Sequence, residues 1–248
     1  MSACPDGRCD GSGFLYDEDA RKARDCSCRP RRLARRKARK LAGVIPRRYQ
    51  GVSFDRAPVT LIEATVVRDV RRYVDMLEEQ LGEGRGIWFQ GDVGTGKTTL
   101  AMLISAEALR QGHSVAIFSL PRLLGMLRET FQDDAEASLS TLLERLAAVE
   151  LLHIDDVGAE QSSPWVLEQL YTIVNTRYED GRAMVLTTNL DPPKLREQIG
   201  ERTVSRLVEM CGDQLKLDGS DQRVVVADPY AGDGPVPYGA PRARPLAS

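Results

Sequence analysis

Residues 91–98 read GDVGTGKT, a complete match to the spacing G-x-x-x-x-G-K-[ST]. Gly91, Gly94 and Gly96 let the backbone turn tightly, so that its N–H groups approach phosphate oxygens closely. A helix opening at Lys97 would add the positive end of its dipole. Lys97 brings a point charge to the β- and γ-phosphates, and Thr98 an oxygen to Mg²⁺. The chemistry is the binding of ATP with Mg²⁺. The candidate nucleotide ligands are Gly91, Asp92, Val93, Gly94, Thr95, Gly96, Lys97, Thr98 and Thr99, joined by Asp155.

Three further groups extend that chemistry. LLHIDDVG (151–158) ends an apolar run in two carboxylates. Asp155 is placed to hold Mg²⁺, and Asp156, one residue further out, to polarise an attacking water as a general base. The plainer role for Asp156 is a turn or a helix N-cap. TTNL (187–190) closes the next apolar run, and Asn189 could orient the water or contact the γ-phosphate; its plainer role is to form the turn before Asp191-Pro192. In ERTVSRL, Arg202 and Arg206 lie four apart and share one helix face. Such an arginine can reach a neighbour's γ-phosphate and stabilise transition-state charge; otherwise it pairs with Glu201 or Glu209 on the surface.

A second cluster is chemically distinct. Cys4, Cys9, Cys26 and Cys28 have the spacing C-x₄-C…C-x-C. Four thiolates suit a tetrahedral Zn²⁺, and Gly11 and Gly13 suit the turn of a zinc knuckle. So short a segment holds little core, so a metal would have to order it. Free thiols and an iron–sulfur cluster are the other readings. Cys211, far from these, reads as a small apolar residue on a helix.

These groups need a scaffold. Helical and strand patterns alternate: a helix over 62–81 with a stripe at Val66, Val67, Val70, Val74 and Leu77, then strands at 86–91, 114–120, 150–155, 183–189 and 222–227. Helices intervene from Lys97 to about Arg110 and over 121–131, 137–148, 164–179, 192–199 and 201–211. The pattern implies an α/β fold, a mostly parallel five-stranded sheet with helices on both faces and ligands at the strands' carboxyl ends. Four zones follow: a Cys₄ segment over 1–28, a basic helix and linker over 29–44, an ATPase domain over 45–226, and a Pro- and Gly-rich tail over 227–248 expected to be disordered.

The net charge of −2 conceals an asymmetry. Residues 1–48 hold 14 Lys/Arg against 6 Asp/Glu, and the remainder 20 against 30. A basic arm on an acidic body is suited to an anionic partner or an acidic surface, unless it is only a solvated charge run. No apolar run approaches the ~20 residues that span a bilayer, and the N-terminus lacks the apolar stretch of a signal peptide. The expectation is a cytoplasmic protein without a membrane partner.

Taken together, GDVGTGKT, LLHIDDVG, TTNL and ERTVSRL resemble the AAA+ ATPases of the bacterial helicase-loader type, DnaC and DnaI, and the related IstB transposition helpers. IPRRYQGVSFD (45–55) is similar to the segment leading into that domain. The resemblance implies that Asp155 is the Walker B acid, that Asp156 stands where many AAA+ proteins carry Glu, that Asn189 is sensor 1, and that Arg206 is the arginine finger with Arg202 beside it. Arg223 could supply the charge that a lid carries in larger AAA+ proteins. The implied function is ATP hydrolysis that loads a replicative DNA helicase onto single-stranded DNA, with subunits assembling as a homo-oligomer in the ATP state. Arg122 and Arg128 are candidate DNA contacts. The alternatives are an IstB-like helper that binds DNA and a transposase, and a binding module switched by ATP with little turnover.

Overall fold

A computed structural model describes residue 4 and residues 7–17, 21–29, 45–130 and 135–219. The arm begins with a hairpin of β1 (Phe14–Asp17) and β2 (Lys22–Asp25), paired antiparallel. The body follows as α1 (Ala64–Asp75), α2 (Leu77–Gly82), β3 (Ile87–Gly91), α3 (Lys97–Arg110), β4 (Val115–Ser119), α4 (Leu120–Glu129) and α5 (Ala135–Ala148). It continues as β5 (Leu151–Val157), α6 (Pro164–Glu179), β6 (Ala183–Thr188), α7 (Pro192–Ile199), α8 (Glu201–Cys211) and β7 (Leu215–Leu217).

The body's sheet has the order β4-β5-β6-β3-β7, with every pairing parallel. Parallel strands need crossover helices, and these cover both faces, so the strands read as near-continuous apolar runs. The two-residue alternation of each strand divides its side chains between two cores. Trp88, Phe118, Leu152, Ile154 and Leu186 pack on one face with Leu123, Leu127, Leu146, Leu170 and Leu207. Ile87, Phe89, Leu151 and Val185 pack on the other with Val66, Val70, Leu77, Leu100 and Ile104. Leu151, His153 and Asp155 of β5 therefore face α3. That parity decides which polar side chains can meet the nucleotide loop.

One sequence expectation is corrected here, and one strand appears that the sequence did not announce. The helix expected over 62–81 is broken at Met76, where φ is −102°, into α1 and α2. Its stripe holds, with Val66, Val70, Val74 and Leu77 buried and Val67 half-buried. The fifth strand is Leu215–Leu217, paired with β3 through Phe89↔Leu215, Gln90↔Lys216 and Gly91↔Leu217. Three residues are too few for a periodic signal. The strand expected over 222–227, most of the basic helix and linker over 29–44, and the tail from 227 lie outside the described residues.

The strands' amino ends hold buried charge. Arg177 is fully buried, and its guanidinium donates to the carbonyls of Leu146, Val149, Glu150 and Ala183 at 2.6, 3.1, 3.3 and 2.6 Å. It thus serves carbonyls that the end of α5 and the starts of β5 and β6 would otherwise leave unpaired. Beside it, Glu150 accepts from the backbone N–H and the hydroxyl of Ser114, both at 2.9 Å, and lies 3.1 Å from His113 Nδ1. Burial alone would raise the Glu150 carboxyl, but the bonds from His113 and Ser114 outweigh it and hold it at about 2, against an ordinary 4.5.

A depressed carboxylate stabilises the fold above its unfolded pKa, and the contribution is lost as pH falls through the folded one. Wild-type unfolding free energy should therefore drop between pH 4.5 and pH 2 partly through this group. Glu150→Gln should cost roughly 2–3 kcal/mol near neutral pH and flatten the curve across that window. Denaturant melts of both proteins at pH 6 and pH 3 check this; equal differences at the two pH values would exclude Glu150 as the cause.

Candidate nucleotide and metal sites

Strand β3 ends at Gly91, and the chain turns through residues 92–96 into α3. Gly96 caps that helix at φ +101°, where an added Cβ would lie 2.5 Å from Ile62 Cδ1. A Cβ at Gly91 would lie 2.3 Å from the Leu217 carbonyl oxygen. The loop is thus packed from below by the segment preceding α1 and from the side by β7. Lys97 is buried, and its Nζ donates to the carbonyls of Gly91 and Asp92 at 2.8 and 2.6 Å. Thr95 Oγ1 also donates to Asp92, at 2.9 Å. The lysine therefore folds back over the loop it would share with a polyphosphate.

Asp155 is the odd-numbered residue of β5 nearest the loop. Thr98 Oγ1 donates to its Oδ1 at 3.0 Å, and Thr187 Oγ1 to the same oxygen at 2.7 Å. Burial alone would raise this carboxyl; the His153 imidazole and the hydroxyls of Thr187 and Thr98 hold it below the ordinary carboxylate range. His153 is fully buried, with Nδ1 2.9 Å from Ser105 Oγ and Nε2 3.9 Å from Asp155 Oδ1. The last distance is too long for a hydrogen bond but short enough for electrostatic influence. Thr98 and Asp155 together offer the oxygens that Mg²⁺ takes beside a nucleotide.

Asp156 is exposed and has φ +57°, a left-handed conformation that side-chain-bearing residues seldom adopt. Asn189 is exposed just past β6, next to Thr188, whose hydroxyl donates to the Val157 carbonyl at 2.7 Å. The loop, Asp155, Asp156 and Asn189 thus lie at the carboxyl edge of three neighbouring strands. Arg206 has other neighbours. Its guanidinium lies 4.1 Å over the Tyr178 ring, and Nη1 is 3.4 Å from Glu209 Oε1. Arg202 is exposed on the same helix. Arg122 and Arg128 are exposed on α4, and Arg128 lies 5.1 Å from the Trp165 ring. Arg223 is outside the described residues. Sequence reasoning missed Thr187, His153 and Ser105, because their roles depend on partners 31 to 48 positions away in sequence or on strand parity rather than on any motif of their own.

In the arm, the sulfurs of Cys4, Cys9, Cys26 and Cys28 all lie within 4.8 Å of one another. Cys4–Cys26 and Cys9–Cys28 are 3.8 and 3.6 Å apart. A tetrahedron of sulfurs ~2.3 Å from its centre has edges of ~3.8 Å, so the set fits one four-coordinate ion. A cluster of several irons would spread its cysteines over different metals and further apart. Gly11 and Gly13 both take positive φ between the first and second cysteine pairs. Cys211 is half-buried on α8, and burial pushes its thiol up to about 12, as suits an inert residue.

Comparison with known proteins matches a family model described as IstB-like ATP binding protein over residues 65–208. The "Replicative helicase loader DnaC" of Escherichia coli (strain K12) is 30% identical over 160 residues, 64% of each chain. DnaC of Buchnera aphidicola subsp. Schizaphis graminum is 27% identical over 181 residues, 71% of this chain and 72% of its own. DnaI of Bacillus subtilis (strain 168) is 26% identical, with 49% of its length covered. Among solved structures, the DnaC helicase loader superposes with a TM-score of 0.61 at 24% identity, covering 70% of this chain and all of its own. At that identity the likeness speaks for the fold. Among the described residues, no helix is long and apolar enough to cross a membrane. With its phosphate loop, its Thr98–Asp155 pair and a family match over more than half its length, the chain belongs to the IstB-like ATP-binding family.

Proposed function

We propose that the protein hydrolyses ATP to load a replicative DNA helicase onto single-stranded DNA, acting as a homo-oligomer in its ATP state. The observation that carries this reading is the assembled Thr98–Asp155–Asp156 edge beside the P-loop, in a chain whose relatives are named replicative helicase loaders. Lys97 would leave the Gly91 and Asp92 carbonyls for the β- and γ-phosphates. Thr98 and Asp155 would hold Mg²⁺, which supplies charge neutralisation on the phosphoryl oxygens. Asp156 would accept the attacking water's proton, Asn189 would orient that water, and Arg206 would approach from a neighbouring subunit. The P-loop body, 45–226, would be the motor. The Cys₄ segment, 1–28, and the basic stretch, 29–44, would face the partner, and 227–248 would be an appendage.

The direct test is capture of the replicative helicase by the full chain, with ATP and with ADP. ATP-dependent capture supports the loader; capture of a transposase instead supports the second reading. That reading, an IstB-like helper on DNA, is favoured by the family model itself. Measurable steady-state turnover would argue against a mere ATP switch.

Asp156→Asn should keep ATP affinity within about threefold while turnover falls ~10²-fold, because an amide cannot accept the proton. Unchanged turnover would leave Asp156 a turn residue. For the arm, zinc is the ion we assign to the four thiolates. Metal analysis should find about one zinc per chain, and a chelator should release it and unfold the arm while leaving nucleotide affinity intact. Iron in place of zinc, or no metal, would overturn that assignment.

A further inference from the structure

The pairing of β5 with β6 is irregular at one place. Ile154 lies opposite Leu186 and Val157 opposite Thr188. Two residues of β5, Asp155 and Asp156, therefore face one residue of β6, Thr187. This is a β-bulge, and a bulge leaves its extra residue without a ladder partner. The positive φ of Asp156 is the local expression of that extra residue.

Here the missing partner is a side chain. The backbone N–H of Asp156 donates to Thr187 Oγ1 at 2.9 Å, and Thr187 Oγ1 donates to Asp155 Oδ1 at 2.7 Å. The direction is settled by chemistry. An amide N–H can only donate and a carboxylate only accept, so the hydroxyl proton must point to Asp155. Thr187 is fully buried, so no water can stand in for either bond. On its other side, Thr187 is the register partner of Phe89 on the strand that carries the P-loop.

We propose that Thr187 is a positioning residue: its one hydroxyl orients the Asp155 carboxylate and holds the Asp156 backbone in the bulge. The inference rests on the nucleotide-site reading given above. Two carboxylates on consecutive residues of an unbroken strand would point to opposite faces. The bulge breaks that alternation at the place where the metal ligand is followed by the proposed base, and only a side chain with both a donor and an acceptor can serve the two residues together.

The test compares Thr187→Val, which keeps the shape and removes the hydroxyl, with Thr187→Ser, which keeps the hydroxyl. One readout does not need hydrolysis: the Mg²⁺ concentration giving half-maximal enhancement of binding of a fluorescent, non-hydrolysable ATP analogue. Thr187→Val should raise it about 10-fold, with affinity in EDTA unchanged, because outer partners of metal ligands are worth roughly 10–100-fold. Turnover should fall by a similar factor, and Thr187→Ser should stay within about threefold of wild type on both measures. If Thr187→Val melts too low to assay, Thr187→Ala set against Thr187→Ser makes the same comparison. Wild-type Mg²⁺ dependence in folded Thr187→Val, or equal damage in the Ser and Val variants, would overturn the proposal. Absence of turnover in the wild type would instead sink the hydrolase reading, while the Mg²⁺ shift still decides the role of Thr187.

Discussion

Lys97→Ala protein should bind a fluorescent ATP analogue at least ~10²-fold more weakly than wild type, and should show no turnover. Removing one partner of a buried charged contact costs roughly 2–5 kcal/mol, which is the source of that factor. No second cation is bonded to the loop among the described residues: Thr95 and Thr98 bring hydroxyls, and the remaining donors are backbone N–H groups. Those donors and the dipole of α3 keep some anion affinity, so residual weak binding is expected. The lysine also bonds the Gly91 and Asp92 carbonyls, so its loss loosens the loop. A thermal melt separates the two effects. A folded variant that binds the analogue as tightly as wild type would refute the phosphate-cradle assignment.

Arg206→Ala should leave nucleotide affinity within about threefold and reduce turnover by as much as ~10³–10⁵, the range an arginine finger is worth. Within one chain the guanidinium stacks on Tyr178 and pairs with Glu209, and Tyr178 in turn donates to Glu209 at 2.7 Å. These contacts hold the planar fork at the outer surface of α6 and α8, which is where a group acting on another subunit must sit. Arg206→Lys should rescue little, since an ammonium neither stacks nor forks as a guanidinium does. Mixing Arg206→Ala with Lys97→Ala should restore part of the activity, because one interface then joins an intact loop to an intact finger. Specific activity should rise with protein concentration. A mixture that stays inactive while both variants fold and co-assemble removes the trans role. Full activity of Arg206→Ala alone makes the residue a surface charge.

The nucleotide loop is legible in sequence because its candidate residues are contiguous: eight residues specify the turn, the charge and the start of a helix. The same holds for the helices of the second half, whose apolar periodicity runs over several turns. The four cysteines were legible as a set. Packing alone shows that their sulfurs close to within 4.8 Å and so suit one ion rather than a larger cluster. Tertiary structure decided everything that needed strand pairing. The fifth strand, Leu215–Leu217, has too few residues for a period and exists because β3 offers it an edge. Nothing local in the sequence marks Arg177 or Glu150, yet Arg177 is buried against the carbonyls of Leu146, Val149 and Glu150, 27 to 31 positions away, and Glu150 against Ser114, 36 away. Thr187 is, in the sequence alone, one β-branched residue of a strand ending before Asn189. Its role appears only once β5 and β6 are in register, because a bulge is a mismatch between two strands and cannot be written in either one alone.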